Sequence, residues 1–126
     1  MIKKQIKTNS APNAIGPYSQ AIMTESTLFL SGQIPINPET GNIDSTSIRD
    51  QAKQVLENIK NILTSQQLSM ENIVKTTVFL TDLNNFSEMN SVYEQYFIQP
   101  FPARSCVEIS KLPKDSLIEI ECIAVL

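Results

Sequence analysis

Ser47-Ile48-Arg49-Asp50-Gln51-Ala52-Lys53-Gln54-Val55-Leu56-Glu57-Asn58-Ile59-Lys60-Asn61-Ile62-Leu63 is the stretch that decides the fold. Ala52, Val55, Leu56, Ile59, Ile62 and Leu63 recur at the spacing of one helix face. Ser47 and Asp50 stand where a capping box would open that helix. Gln51, Lys53, Gln54, Glu57, Lys60 and Asn61 make the opposite, water-facing side. A helix with a single apolar stripe needs a surface to cover, and the neighbouring segments supply a sheet.

Downstream, Ile73 to Thr81 reads as a strand. Phe86, Met89, Tyr93, Tyr96 and Phe97 then mark a second helix between Leu83 and Phe97, which Pro100 and Pro102 stop. Asn90 falls on its apolar stripe, where a polar group needs hydrogen-bond partners, through either a helix-to-loop bond or a ligand. Arg104 to Ser110 and Leu117 to Leu126 are further strands, joined by Lys111 to Ser116. Upstream strands are Lys3 to Thr8, Gln20 to Thr24 and Leu28 to Gly32, with Glu25-Ser26-Thr27 as a hairpin-length link and Pro38-Glu39-Thr40-Gly41 as a turn.

This order predicts an α+β fold, a mixed six-stranded sheet with two helices on one face. Leu28-Phe29-Leu30 and Val74 to Leu80 are apolar on both parities, so both sheet faces should be covered. Two helices cover one face, and the second calls for a partner subunit in a closed homo-oligomer.

At 126 residues and 41% hydrophobic content, residues 1–126 fit one domain. No apolar run approaches the ~20 residues of a membrane span, and the N-terminal Met1-Ile2-Lys3-Lys4-Gln5 has no apolar leader core, so a cytoplasmic location is expected. Cys106 and Cys122 lie in apolar strands and are expected to be reduced. With no histidine and no close cysteine pair, the chain offers no standard zinc site and no imidazole base; neither metal nor cofactor is expected. Catalysis would then use carboxylate, guanidinium, hydroxyl, thiol or backbone groups. The net charge of −3 and the scattered lysines argue against a nucleic-acid partner and leave room for a small anion.

Pro102-Ala103-Arg104-Ser105-Cys106-Val107-Glu108 is the richest stretch chemically, since strand alternation puts Arg104, Cys106 and Glu108 on one face. An arginine there is a two-pronged clamp for a substrate carboxylate, worth about 1.5–3 kcal/mol, or a structural ion pair at a strand end. Glu119 points opposite Ile118, Ile120 and Cys122, either as solvated surface or as a carboxylate that orients or deprotonates water. If Lys111 to Ser116 forms a hairpin, Glu119 and Arg104 share a sheet face. Cys106 lacks a histidine base, which favours a pocket-lining thiol over a nucleophile. Tyr18 follows the kinked Gly16-Pro17 and either lines a pocket or edges the core. Ser31-Gly32 ends a strand as an oxyanion-binding backbone or a plain turn.

Taken together, Ala14-Ile15-Gly16-Pro17-Tyr18-Ser19-Gln20, Ser31-Gly32-Gln33-Ile34-Pro35, Val74-Lys75-Thr76-Thr77-Val78-Phe79-Leu80, Pro102 to Val107, Leu112-Pro113-Lys114-Asp115 and Ile118-Glu119-Ile120 resemble the Rid family of reactive intermediate deaminases, also called YjgF-like proteins. The resemblance spans essentially the whole chain and points to the branch acting on 2-iminobutanoate and 2-iminopropanoate. It implies a chorismate-mutase-like fold and a homotrimer with a central sheet barrel and pockets between subunits. It implies that Arg104 holds the substrate carboxylate, that Glu119 positions water, and that Tyr18, Ser31, Gly32, Asn90 and Cys106 shape the pocket. The implied reaction is metal-free hydrolysis of 2-aminoacrylate, 2-aminocrotonate and their imine tautomers to 2-keto acids and ammonia, which protects pyridoxal-phosphate enzymes. A noncatalytic regulator binding small carboxylates is the alternative. The link Ile98-Gln99-Pro100-Phe101 departs from the family pattern and bears on substrate size.

Overall fold

The computed structural model describes residues 1–126. Strands β1 (Lys4–Ile6), β2 (Ala21–Met23), β3 (Thr27–Gln33), β4 (Ile73–Leu80), β5 (Ala103–Glu108) and β6 (Ile118–Val125) accompany two helices, α1 (Ile48–Thr64) and α2 (Phe86–Tyr93). All six strands join one sheet in the order β1-β2-β3-β6-β4-β5. Pairing is antiparallel except between β4 and β5, which run parallel because α2 carries the chain back between them.

This order corrects one expectation. The segment from Lys111 to Ser116 is no hairpin, because β4 lies between β5 and β6. The chain instead crosses over β4 through a short turn at Pro113–Asp115, with Lys114 and Asp115 at φ 56° and 55°. The parallel β4–β5 pair places β5 at the sheet edge and leaves the central position to the longer, wholly apolar-backed β6.

Helix α1 begins where its apolar stripe predicts. The Ser47 hydroxyl accepts from the Asp50 amide at 3.3 Å. The reciprocal half of the capping box does not form, because Asp50 instead accepts from the Ser45 hydroxyl at 3.0 Å, and the Ser47 amide donates to Ser45 Oγ. Ala52, Val55, Leu56, Ile59, Ile62 and Leu63 are all buried, against Leu28, Leu30, Ile118, Ile120, Cys122 and Ala124 of the sheet. Gln51, read as water-facing, is buried; its Oε1 accepts from the Leu117 amide at 2.8 Å and its Nε2 donates to the Ser45 carbonyl. The second helical segment is a full α-helix only over Phe86–Tyr93, with single 3-10 turns at Leu83–Asn85 and Glu94–Tyr96 on either side.

Register partners share a face. Thr76, Val78, Arg104, Cys106, Ile120 and Cys122 therefore lie under the helices, and Phe29, Thr77, Phe79, Val107, Glu119, Glu121 and Ile123 lie on the other face. That second face is open in one chain, with Phe29 47% and Val107 42% exposed. The two-parity apolar pattern has this cause: one parity is core and the other is an apolar surface.

Candidate active site

Arg104 enters from β5 on the helix-covered face, beside Thr76 of β4. Its Nη1 donates to Asn90 Oδ1 of α2 at 2.7 Å. The guanidinium carbon lies 4.8 Å from the Tyr93 ring centroid and 5.5 Å from that of Phe86, within cation–π range. The partner is thus a neutral amide and two aromatic faces rather than the carboxylate of an ion pair, so the positive charge is oriented without being neutralised. A cavity of about 340 Å³ opens there, lined by Asn90, Tyr93, Glu94, Phe101, Pro102 and Arg104. Asn90 spends its Oδ1 on neither a loop nor solvent but on Arg104, and it lines the cavity beside it.

Tyr93 and Phe86 were legible in the sequence only as core aromatics. Tyr93 stands one helical turn after Asn90 on the same stripe, the one signal that could have joined it to Arg104. Burial pushes its hydroxyl above the usual phenol value, and the Thr76 hydrogen bond and the Arg104 charge pull back against that, so the ring faces the guanidinium as a neutral phenol.

Cys106 lies two residues along the same face, half-buried and free. Burial raises its thiol above the ordinary value, against a smaller pull from Arg104, which makes it a poor nucleophile at neutral pH.

Glu119 sits on the opposite face, across from Phe79 on β4. It does not meet Arg104 within one chain, contrary to the hairpin-based expectation. Its neighbour is Gly32: a Cβ built there would lie 2.7 Å from Glu119 Oε1 and 2.8 Å from its carboxyl carbon. The β3–β6 register shifts between Leu30 and Gln33, and Ser31 and Gly32 fall within that irregularity. Glycine lets the carboxylate lie directly on the strand backbone. Burial first, then the nearby charge of Glu121, raises the Glu119 carboxyl above its ordinary value.

Ser31 spends its hydroxyl on the Ser19 carbonyl, and its amide on the Gln20 carbonyl, so it fastens the 12–20 loop to β3. Tyr18 projects from that loop, 52% exposed, after Gly16 at φ +127°, and lines a separate polar cavity with Lys7, Asn13 and Gln20. Of the anticipated residues, Arg104, Asn90 and Cys106 form one group under α2. Gly32 and Glu119 form another on the open face, with Ser31 and Tyr18 tied to it through the loop.

The fold and these groups define a small α+β protein with a cationic pole and an acidic pole on opposite faces of one sheet. The family model described as Endoribonuclease L-PSP matches residues 8–126. The human 2-iminobutanoate/2-iminopropanoate deaminase is 45% identical over 99% of this chain and 91% of its own. A RutC family protein of Pyrococcus horikoshii is 54% identical over 98% of each chain. Among solved structures, Escherichia coli TdcF with bound serine superposes with a TM-score of 0.94 at 50% identity, covering 98% of this chain and 99% of that one. The chain belongs to this family, the Rid or YjgF-like proteins.

Proposed function

We propose that this protein hydrolyses reactive 2-imino and enamine acids to 2-keto acids and ammonia. The observation that carries the reading is the Arg104 guanidinium, oriented by Asn90, Tyr93 and Phe86 beside a cavity with its charge left unpaired by any of them. Such a group suits a small carboxylate, by charge-assisted paired hydrogen bonds. The relatives whose names specify imino acid deamination, and the serine-bound neighbour, support the substrate class.

In this reading Arg104 fixes the carboxylate and leaves the imine carbon facing a water held by Glu119. Glu119 accepts a proton from this water as the water oxygen bonds to carbon, and hands it to the imine nitrogen to give the carbinolamine. The carbinolamine then collapses: its hydroxyl proton passes by way of Glu119 to the amino nitrogen, the C=O forms as the C–N bond breaks, and ammonia departs. The raised Glu119 carboxyl suits it to proton transfer better than an ordinary surface carboxylate. The reading calls on no metal or cofactor, and its cellular consequence is protection of pyridoxal-phosphate enzymes from their own released enamines.

Arg104 and Glu119 lie on opposite faces of one sheet, so the two act on one substrate only across a subunit boundary. We therefore read the active form as a homotrimer whose open sheet faces meet in a central barrel, with pockets between subunits. The apolar open face supports this assembly.

The nuclease in the family description is the competing function. A chain of net charge −3 without histidine is poorly suited to it.

The test couples a threonine or serine dehydratase to the protein and follows keto-acid appearance. Acceleration that Arg104→Ala abolishes is expected. No acceleration by the assembled protein would favour a noncatalytic carboxylate-binding regulator.

A further inference from the structure

Thr76 and Arg104 are register partners on the covered sheet face, and Tyr93 caps both from α2. The Tyr93 hydroxyl and Thr76 Oγ1 share a hydrogen bond of 2.7 Å in a site where Thr76 is 1% and Tyr93 6% exposed. Phe97 packs on the Tyr93 ring, centroid to centroid 4.5 Å with the planes tilted by 36°. The ring is therefore held at its edge by Thr76 and at its flank by Phe97, and its face meets the guanidinium. Asn90, one helical turn before, holds Nη1 from the side. A guanidinium has five donors in one plane, and paired recognition of a carboxylate depends on where that plane points.

From this geometry we infer that Tyr93 is a positioning residue, and that the Tyr93–Thr76 hydrogen bond sets the plane in which Arg104 presents its donors to a carboxylate. The inference rests on the proposed function for its ligand, a small 2-keto or 2-imino acid, and adds two residues that act through Arg104. Asn90 alone fixes one nitrogen and leaves rotation about the Cζ–Nη1 direction. The tethered ring removes that rotation. The sequence gives no hint of Thr76 in this role, since it lies in an apolar strand and pairs with Arg104 only once β4 and β5 are parallel.

The test measures affinity for 2-oxobutanoate by titration calorimetry on the assembled protein, with the thermal midpoint alongside. Wild type should bind and Arg104→Ala should not; equal binding by the two would remove the clamp and this inference with it. Tyr93→Phe and Thr76→Val should each weaken binding about threefold, the scale of a modest cation–π contact. Each should also lower the midpoint, because one buried hydroxyl loses its partner. The double variant Tyr93→Phe/Thr76→Val strands neither hydroxyl, so its midpoint should recover while its affinity stays about threefold down, the ring being untethered. Affinity that recovers together with the midpoint would make the pair merely structural and overturn the inference, as would unchanged affinity in all three variants. Keto-acid release is scored separately: binding without turnover would sink the deaminase reading while the affinities still decide the role of Tyr93.

Discussion

Gly32 and Glu119 interact so closely that each constrains the other. A methyl at position 32 would occupy the space of the Glu119 carboxyl, and that side chain would have to move from Cγ, 3.1 Å away, outward, with no backbone atom among the three nearest contacts. Gly32→Ala is thus expected to shift stability by no more than about 1 kcal/mol. Keto-acid release should fall at least about tenfold, equal to about 1.4 kcal/mol of transition-state stabilisation. Thermal denaturation beside the dehydratase-coupled assay checks both halves. The Glu119 carboxyl also titrates above its ordinary value, through burial and then Glu121. A raised acid binds its proton more tightly folded than unfolded, so its ionisation costs stability: the cost is absent below the unfolded value and complete above the folded one. Glu119→Gln should therefore stabilise the protein at neutral pH and not in acid below the ordinary carboxylate range, as read from thermal midpoints across pH. Activity should run the other way, rising as pH passes through the raised value. Glu121→Gln should move that acidic limb downward.

Gln51 shows how an element is placed as well as formed. Helical periodicity puts it on the polar side of α1, yet it bridges Ser45 before the helix and Leu117 before β6. Gln51→Leu strands the Leu117 amide and should cost about 1–3 kcal/mol, measured by urea denaturation. Because Leu117 leads into the strand that carries Glu119, the same change should lower turnover more than 2-oxobutanoate binding. Asn58 behaves alike: fully buried on α1, it donates to the Ile34 and Ile36 carbonyls at 3.3 and 2.9 Å and anchors the loop after β3. Most strand and helix cores were legible in sequence because period and parity report burial directly. The capping box formed only by half because Ser45, two residues upstream, competes for the Asp50 carboxylate and the Ser47 amide. That competition depends on a loop path that no periodicity encodes.

At the scale of the whole molecule, the open face is the feature that a single chain leaves unexplained. Phe29, Thr77, Phe79, Val107 and Ile123 share it with Glu119 and Glu121. Under the proposed assembly, Phe29→Glu places a charge at the subunit contact. It should yield a folded monomer by light scattering and circular dichroism that releases no keto acid above background. A trimeric and active Phe29→Glu would remove this face from the interface.

Period and parity along the chain were enough to read the two helices, the six strands and the apolar second face, because both signals act over a few residues. Only the tertiary structure decided that β6 lies between β3 and β4, since strand order depends on which long-range pairings bury the most surface. The register of β4 with both its neighbours then put Arg104 and Glu119 on opposite faces, and the packing of α2 seated Arg104 against Asn90 and Tyr93. Side-chain parity alternates along every strand, so the register that sets Thr76 against both Arg104 and Cys122 leaves Glu119, an odd number of residues from Cys122, on the opposite face.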